Sequence, residues 1–349
     1  MRKTLKAVIV TAALLAAGQA GAEESASART PDKMRIGYIP EPAHGLHFLA
    51  REKGFFKEEG IDAELYQFNT AAEGCAALKA GKLDIGTFGT AAPLLFITKG
   101  AEFTIFGGMM ICGQAIIARP ENAGSLKSLE NFKGKKIGLG RLTTGDVIFR
   151  GALKKAGIDW RKDISIVEFS SQSAVIEAVK KGAVDAGIVF SPHFSLAEKN
   201  HGLKTVHFIA DFYPNYTCCR LDAITSDFNA RKDAYKRVLI ALIRAYKVYR
   251  ENPEETVRVF TKALKIDEDI IRKDTYTSKC FESHPDPLKK GTLDFWKEMR
   301  DIGYIEQDYP IESHIDTAVY RQALDEVLKR YPGDRIYQEL DTFYKANNE

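Results

Sequence analysis

The chain predicts an α/β protein built as two similar lobes. Buried-looking strands alternate with amphipathic helices from Met34 onward, the pattern of βαβ units around a mostly parallel sheet. The pattern restarts near Lys135, and the two runs share a phrase: AALKAGKLDIG over Ala76–Gly86 and IEAVKKGAVDAG over Ile176–Gly187. In each, a helix ends in a lysine-glycine turn and a strand with Asp-x-Gly follows, which makes Asp84 equivalent to Asp185 and Gly81 to Gly182. Two extended apolar stretches, Ile111–Arg119 and Thr217–Ile224, bracket the second run and are suited to cross between lobes.

The elements follow in order. Met34–Ile39 is a strand and His44–Phe56 a helix with Leu46, Leu49, Ala50 and Phe56 on its apolar side. Ala63–Phe68 is a strand, Thr70–Ala80 a helix entered by a polar cap and stopped by Gly81, and Leu83–Phe88 a strand. Ala91–Thr98 is a helix and Glu102–Gly107 a strand. In the second run Lys135–Leu139, Ile164–Phe169 and Val184–Phe190 are strands, with Thr144–Ala156 and Ser173–Lys181 as helices between them. Everything after Ser226 reads as helix: Asn229–Arg250, Glu254–Leu264, Leu288–Ile302 and Thr317–Tyr331, punctuated by Pro253, Pro287 and Pro310. The boundaries that follow are a segment at 1–22, a linker at 23–33, one lobe from 34–112 with 222–349, and the other from 113–221.

The first 22 residues have the three parts of a secretory signal: basic Arg2, Lys3 and Lys6, an apolar Ala7–Ala17 run and a small-residue Ala20-Gly21-Ala22 end. The apolar run is far short of the roughly 20 residues that span a bilayer. Cleavage near Ala22 would release a chain starting at Glu23 into the periplasm. Without those three basic residues the balance falls from 50 against 47 to 47 basic against 47 acidic, which removes a bulk electrostatic case for nucleic acid or anionic membranes. With 45% hydrophobic and 28% charged residues over 349 positions, disorder and a disulfide mini-scaffold are excluded as well.

Cys75, Cys112, Cys218, Cys219 and Cys280 are odd in number, so at least one thiol stays unpaired. None has zinc-finger spacing. An oxidised Cys218 or Cys219 would pair with a distant partner, and small buried thiols are the equal alternative. No nucleophile motif of the G-x-S-x-G, H-E-x-x-H or S-x-x-K type is present, and Asp146 stands where a P-loop needs lysine.

LAREKGFFKEEGIDAEL over Leu49–Leu65 and LKAGKLDIGTFGTAAPLL over Leu78–Leu95 resemble the periplasmic solute-binding proteins of ABC importers. The branch is the one that handles nitrate, sulfonates, taurine and pyrimidine precursors of thiamine, the NMT1/THI5-like proteins. That resemblance implies the two-lobe, type II binding-protein fold, with a ligand in the interlobe cleft and a membrane permease as partner. It also implies a monomer with no cofactor, metal or catalytic role. A small polar or anionic organic solute is expected, with a pyrimidine as the alternative. Eukaryotic pyrimidine synthases resemble the chain too, but they carry a longer cysteine run where this sequence has only Cys218-Cys219-Arg220. A binding lobe serving a membrane sensor is a third reading.

Ligands of open α/β sheets sit beyond the carboxyl ends of the strands, which selects the cleft loops. From these come Glu41, His44, Asn69, Thr70, Thr87, Phe88 and Thr90 on the first lobe. Gln114, Arg141, Thr143, Thr144, Ser171 and Ser191 come from the second, with Cys219 and Arg220 on the returning crossing strand. His44 either opens its helix or touches ligand, and Phe88 either packs on the solute or fills the lobe edge. Thr143 and Thr144 either hold a polar group at a helix N-terminus or cap that helix. Arg141 and Arg220 are expected to divide two tasks, one clamping an anionic group and the other neutralising Glu41 or Asp146, unless both only stitch the lobes together.

Overall fold

The strands assemble into two five-stranded sheets of the same design. In the computed structural model, which describes residues 30–349, they are β1 Asp32–Tyr38, β2 Ile61–Gln67, β3 Ile85–Gly89, β4 Phe103–Gly108, β5 Met110–Cys112 and β6 Gln114–Ala118. They continue as β7 Lys136–Gly140, β8 Ser165–Phe169, β9 Ala186–Phe190, β10 Lys204–Phe208, β11 Cys219–Ile224 and β12 Phe281–Ser283. The first sheet has the order β2-β1-β3-β11-β4 and the second β10-β6-β9-β7-β8. Each has a parallel trio, β2-β1-β3 or β8-β7-β9, extended by two antiparallel steps. The signal-like segment 1–22 and most of the linker lie outside the described residues.

The repeated phrase has a structural job. Asp84 accepts from the Arg35 N–H at 2.7 Å, and Asp185 accepts from the Lys136 N–H at 2.8 Å. Each aspartate thus ties the start of its β3-like strand to the neighbouring parallel strand. Gly81 and Gly182 take positive φ of 68° and 73° just before, a turn that a Cβ would strain. The helices between are capped alike as well: Thr70 accepts from the Glu73 N–H and Ser171 from the Ala174 N–H.

Of the two apolar stretches, the first is broken in two. β5 and β6 are separated by Gly113, with Cys112 at φ 61° and Gly113 at φ 112°, so the chain turns sharply between the sheets. β11 returns between β3 and β4. The tail is not all helix: β12 pairs antiparallel with β5, Phe281 opposite Cys112, and forms a small two-stranded sheet against the crossing. Helices Lys232–Glu251, Pro253–Leu264, Lys289–Asp301 and Ala318–Arg330 match expectation closely, and Arg335–Asn348 adds another. The strand escapes pattern reading because Phe281–Ser283 is only three residues long, whereas Arg335–Asn348 does carry a helical apolar stripe, Ile336, Tyr337, Leu340 and Tyr344. Among the described residues no helix is long and apolar enough to cross a membrane.

Candidate functional site

The loops after β1 and β3, the N-terminus of helix Thr144–Lys155 and the start of β11 converge on one buried polar cluster. Pro42 at the first turn of a short 3-10 segment fixes the loop after β1, which buries both Glu41 and His44. Their side chains approach to 3.0 Å, Glu41 Oε1 to His44 Nε2, but without the alignment of a hydrogen bond. His44 Nδ1 accepts the Ile39 N–H at 3.2 Å, so the neutral ring carries its proton on Nε2 and offers it into the cluster. A carboxylate acceptor and an N–H donor therefore stand side by side. Among the described residues Glu41 has no lysine or arginine within ion-pair distance; His44 is its basic neighbour.

The opposite wall comes from the second sheet and the crossing strands. A Cβ on Gly89, at the end of β3, would lie 3.1 Å from Thr144 Oγ1, so the two halves meet there. The Cys218 thiol donates to Thr144 Oγ1 at 3.4 Å, and the Gln114 amide donates to Cys218 Sγ at the same distance. Tyr216 OH holds Gln114 in place by donating to its Oε1 at 2.6 Å. Burial alone would raise the Cys218 thiol, but hydrogen bonds with Cys219, Thr144 and Gln114 hold it below its ordinary value, and Cys219 is pushed up in turn. Thr90 donates its hydroxyl to the Cys218 carbonyl. His193, half-buried at the edge, stacks edge-on against Phe190 and is lowered to about 4 by burial, with Glu41 pulling the other way.

Glu41, His44, Thr90, Gln114, Thr144 and Cys219 are thus brought together. The other candidates are placed elsewhere. Thr70, Thr143 and Ser171 spend their hydroxyls as helix caps, and Asn69 is exposed beside the first of them. Thr87 is bonded to His47 Nε2 at 2.8 Å, below the cluster. Phe88 points into the core of the first half, where a Cβ on Gly74 would stand 2.0 Å from its ring, so it fills the lobe. Ser191 donates to Asp274 at 2.7 Å.

Among the described residues neither arginine pairs with Glu41 or Asp146, and Arg220 takes the alternative, stitching role. Arg141 is exposed and lies 3.7 Å from Glu168. Arg220 is fully buried, and donates to the carbonyls of Asp286 at 2.7 Å and Met110 at 2.6 Å. Asp146 is neutralised by Arg150, one helical turn on, at 2.6 Å. The i,i+4 spacing of Asp146 and Arg150 was the available signal for that pair. All five cysteines are free and buried, which is the thiol alternative of the sequence reading.

Asp274 was missed because it lies in the tail. Ser195 Oγ donates to it at 2.5 Å and Ser191 Oγ to its other oxygen, so a tail carboxylate is joined to the second sheet beside the cleft. Burial pushes Asp274 up to about 6 from 3.8, opposed by the two serines and by Lys273, which also pairs with Glu198. Between pH 3.8 and 6 the folded chain holds one proton more than the unfolded chain, so this group's contribution is complete below that window and is lost as pH rises through it. Relative to the parent, Asp274→Asn should lose stability on the order of 3 kcal/mol between pH 7 and pH 4. Urea melts at the two pH values check this, and an unchanged difference would place Asp274 in solvent.

The sequence model of the family described as NMT1/THI5 like matches residues 41–256, well over half of the chain. The chain belongs to this family. A provisionally named binding protein of Brucella abortus is 28% identical over 264 residues, covering 75% of this chain and 80% of the relative. A provisionally named aliphatic sulfonates-binding protein of Bacillus subtilis is 24% identical over 334 residues, 91% of this chain and 96% of that one. The periplasmic nitrate-binding protein NrtA from Synechocystis PCC 6803 superposes with a TM-score of 0.72 at 17% identity, over 87% of this chain and 92% of its own. NMT1/THI5-like membership and this likeness make the fold that of the type II periplasmic binding proteins.

Proposed function

We propose that this NMT1/THI5-like chain is the extracytoplasmic solute-binding component of an ABC importer, a monomer that closes two lobes on a small solute and presents it to a membrane permease. The binding proteins among its relatives, the leader at 1–22 and the crossing strands at Met110–Ala118 and Cys219–Ile224 support this reading. So does the meeting of both halves at the carboxyl ends of their parallel strands. Binding energy in such a protein shifts an open-to-closed equilibrium.

The observation that carries the choice of solute is the Glu41–His44 pair. A sulfonate or nitrate brings negative charge and acceptor oxygens, and a buried carboxylate without an arginine opposes it. A nitrogen heterocycle that presents an N–H beside a ring acceptor matches the carboxylate and the Nε2–H together. The pyrimidine alternative is therefore preferred to the sulfonate reading. Calorimetry on the mature protein with the aminopyrimidine precursor of thiamine, taurine and nitrate tests it, together with mass spectrometry of any copurified molecule. Binding of the pyrimidine alone is expected. Tight binding of taurine or nitrate overturns the solute assignment, and turnover of the bound molecule by pure protein would favour the enzyme.

A further inference from the structure

A pocket of about 530 Å³ lies against the first crossing, and none of its lining residues belongs to the Glu41 cluster. It is walled by the end of β5, by the β12 strand paired with it, by helix Lys232–Glu251 and by the π-helical turn Lys273–Thr277. Small-molecule sites hold roughly 300 to 1,000 Å³, so the volume suits a compact organic ligand.

The lining is strained and incompletely satisfied. Six non-glycine residues among the described ones have positive φ, and three of them line this pocket: Cys112 at 61°, Asn215 at 57° and Lys279 at 51°. Backbone of this kind gathers at ligand clamps, as π-helical turns do at functional sites. Thr275 also lines the pocket; it is 4% exposed, and its hydroxyl has no hydrogen-bond partner among the described residues. A buried hydroxyl in that condition costs free energy that an acceptor on a ligand recovers.

The walls specify what fits. The Tyr249 and Tyr276 rings stack with centroids 5.7 Å apart and planes 25° apart, and Tyr276 OH donates to the Tyr249 carbonyl at 2.7 Å, which fixes a flat aromatic wall. Phe281 adds a third ring to the lining. Glu282 accepts from Tyr246 OH at 2.8 Å, and the same hydroxyl accepts from Arg250 at 2.7 Å, so these two lining charges are bridged to each other. Lys279 is exposed and has no carboxylate within ion-pair distance among the described residues. One positive charge is therefore left over for a ligand.

We propose that this pocket is a second ligand site, separate from the solute cleft, for a small aromatic carboxylate whose ring lies along the Tyr249–Tyr276 wall while Lys279 and the Thr275 hydroxyl supply donors. Titration calorimetry of the mature chain with benzoate, 4-hydroxybenzoate and indole-3-acetate tests it, with 4-hydroxybenzamide as the uncharged control. At least one of the carboxylates is expected to bind saturably, and the amide about fivefold more weakly than 4-hydroxybenzoate. Lys279→Glu should weaken carboxylate binding by about tenfold or more, since it replaces an attraction with a repulsion. Thr275→Val should weaken it about fivefold while a thermal melt shows stability held or improved, because the variant removes a buried hydroxyl that has no partner in the free protein.

No saturable binding of any of the three carboxylates overturns the site, as do Lys279→Glu and Thr275→Val both binding like the parent; an amide that binds as tightly as its acid overturns the anionic class. Should a variant fold poorly, a crystal structure of the loaded parent decides: the ligand against Tyr276 supports the proposal, and the ligand beside Glu41 refutes it. These measurements use no transported solute, so a failure here and a failure of the importer reading are separately visible.

Discussion

Arg220→Ala is expected to destabilise the fold by about 3 to 5 kcal/mol, the cost of removing one partner from a buried charged network. The guanidinium joins β11 to the Met110 carbonyl of β5 and to the Asp286 carbonyl beyond β12, so it fastens both crossings and the tail. Burial pushes Arg220 down to about 10, with Asp286 the main opposing influence, while burial drives the neighbouring Asp222 carboxyl well above its ordinary value. Removing it leaves Asp286, already raised to about 6 by burial, without that support. Arg220→Lys should recover only part of the loss, because one ammonium cannot span two carbonyls as a planar fork does. Urea denaturation measures the effect. A variant as stable as the parent but unable to bind solute would return Arg220 to the role of ligand clamp.

Glu41→Gln should have the opposite signature, with stability held or improved and solute affinity reduced by roughly ten- to a hundredfold. Burying a carboxylate without a cation costs free energy that a neutral amide of the same shape does not, so the unliganded protein tolerates the change. The ligand N–H then loses a charged acceptor, worth roughly 1.5 to 3 kcal/mol, and meets an amide whose donor end competes for the same position. Calorimetry paired with a thermal melt separates the two effects. Unaltered affinity would show that the solute does not touch Glu41.

What could be read from the chain alone is what local chemistry determines. Gly81 and Gly182 mark left-handed turns, Asp84 and Asp185 tie neighbouring parallel strands, and Thr70 and Ser171 cap helices; all of these act within a single βαβ unit. The repeat was therefore visible as a phrase, and the two-sheet design followed from it. The same locality explains why the Thr70, Thr143 and Ser171 hydroxyls were candidates, since a cap residue after a strand has the same sequence signature as a ligand donor there.

The site's charge balance was decided by contacts distant in sequence. Arg220 points to the carbonyl of Asp286, 66 residues on, and Asp274 reaches Ser191 from 83 residues away. No periodicity carries such pairings, because the tail helices are placed by apolar faces that leave their polar partners unspecified. Glu41 and Cys219 are 178 residues apart, yet their side chains end 3.7 Å from each other. Only the packing of β11 between β3 and β4 brings that carboxylate and that thiol to one point, and with it the chemistry of the cleft.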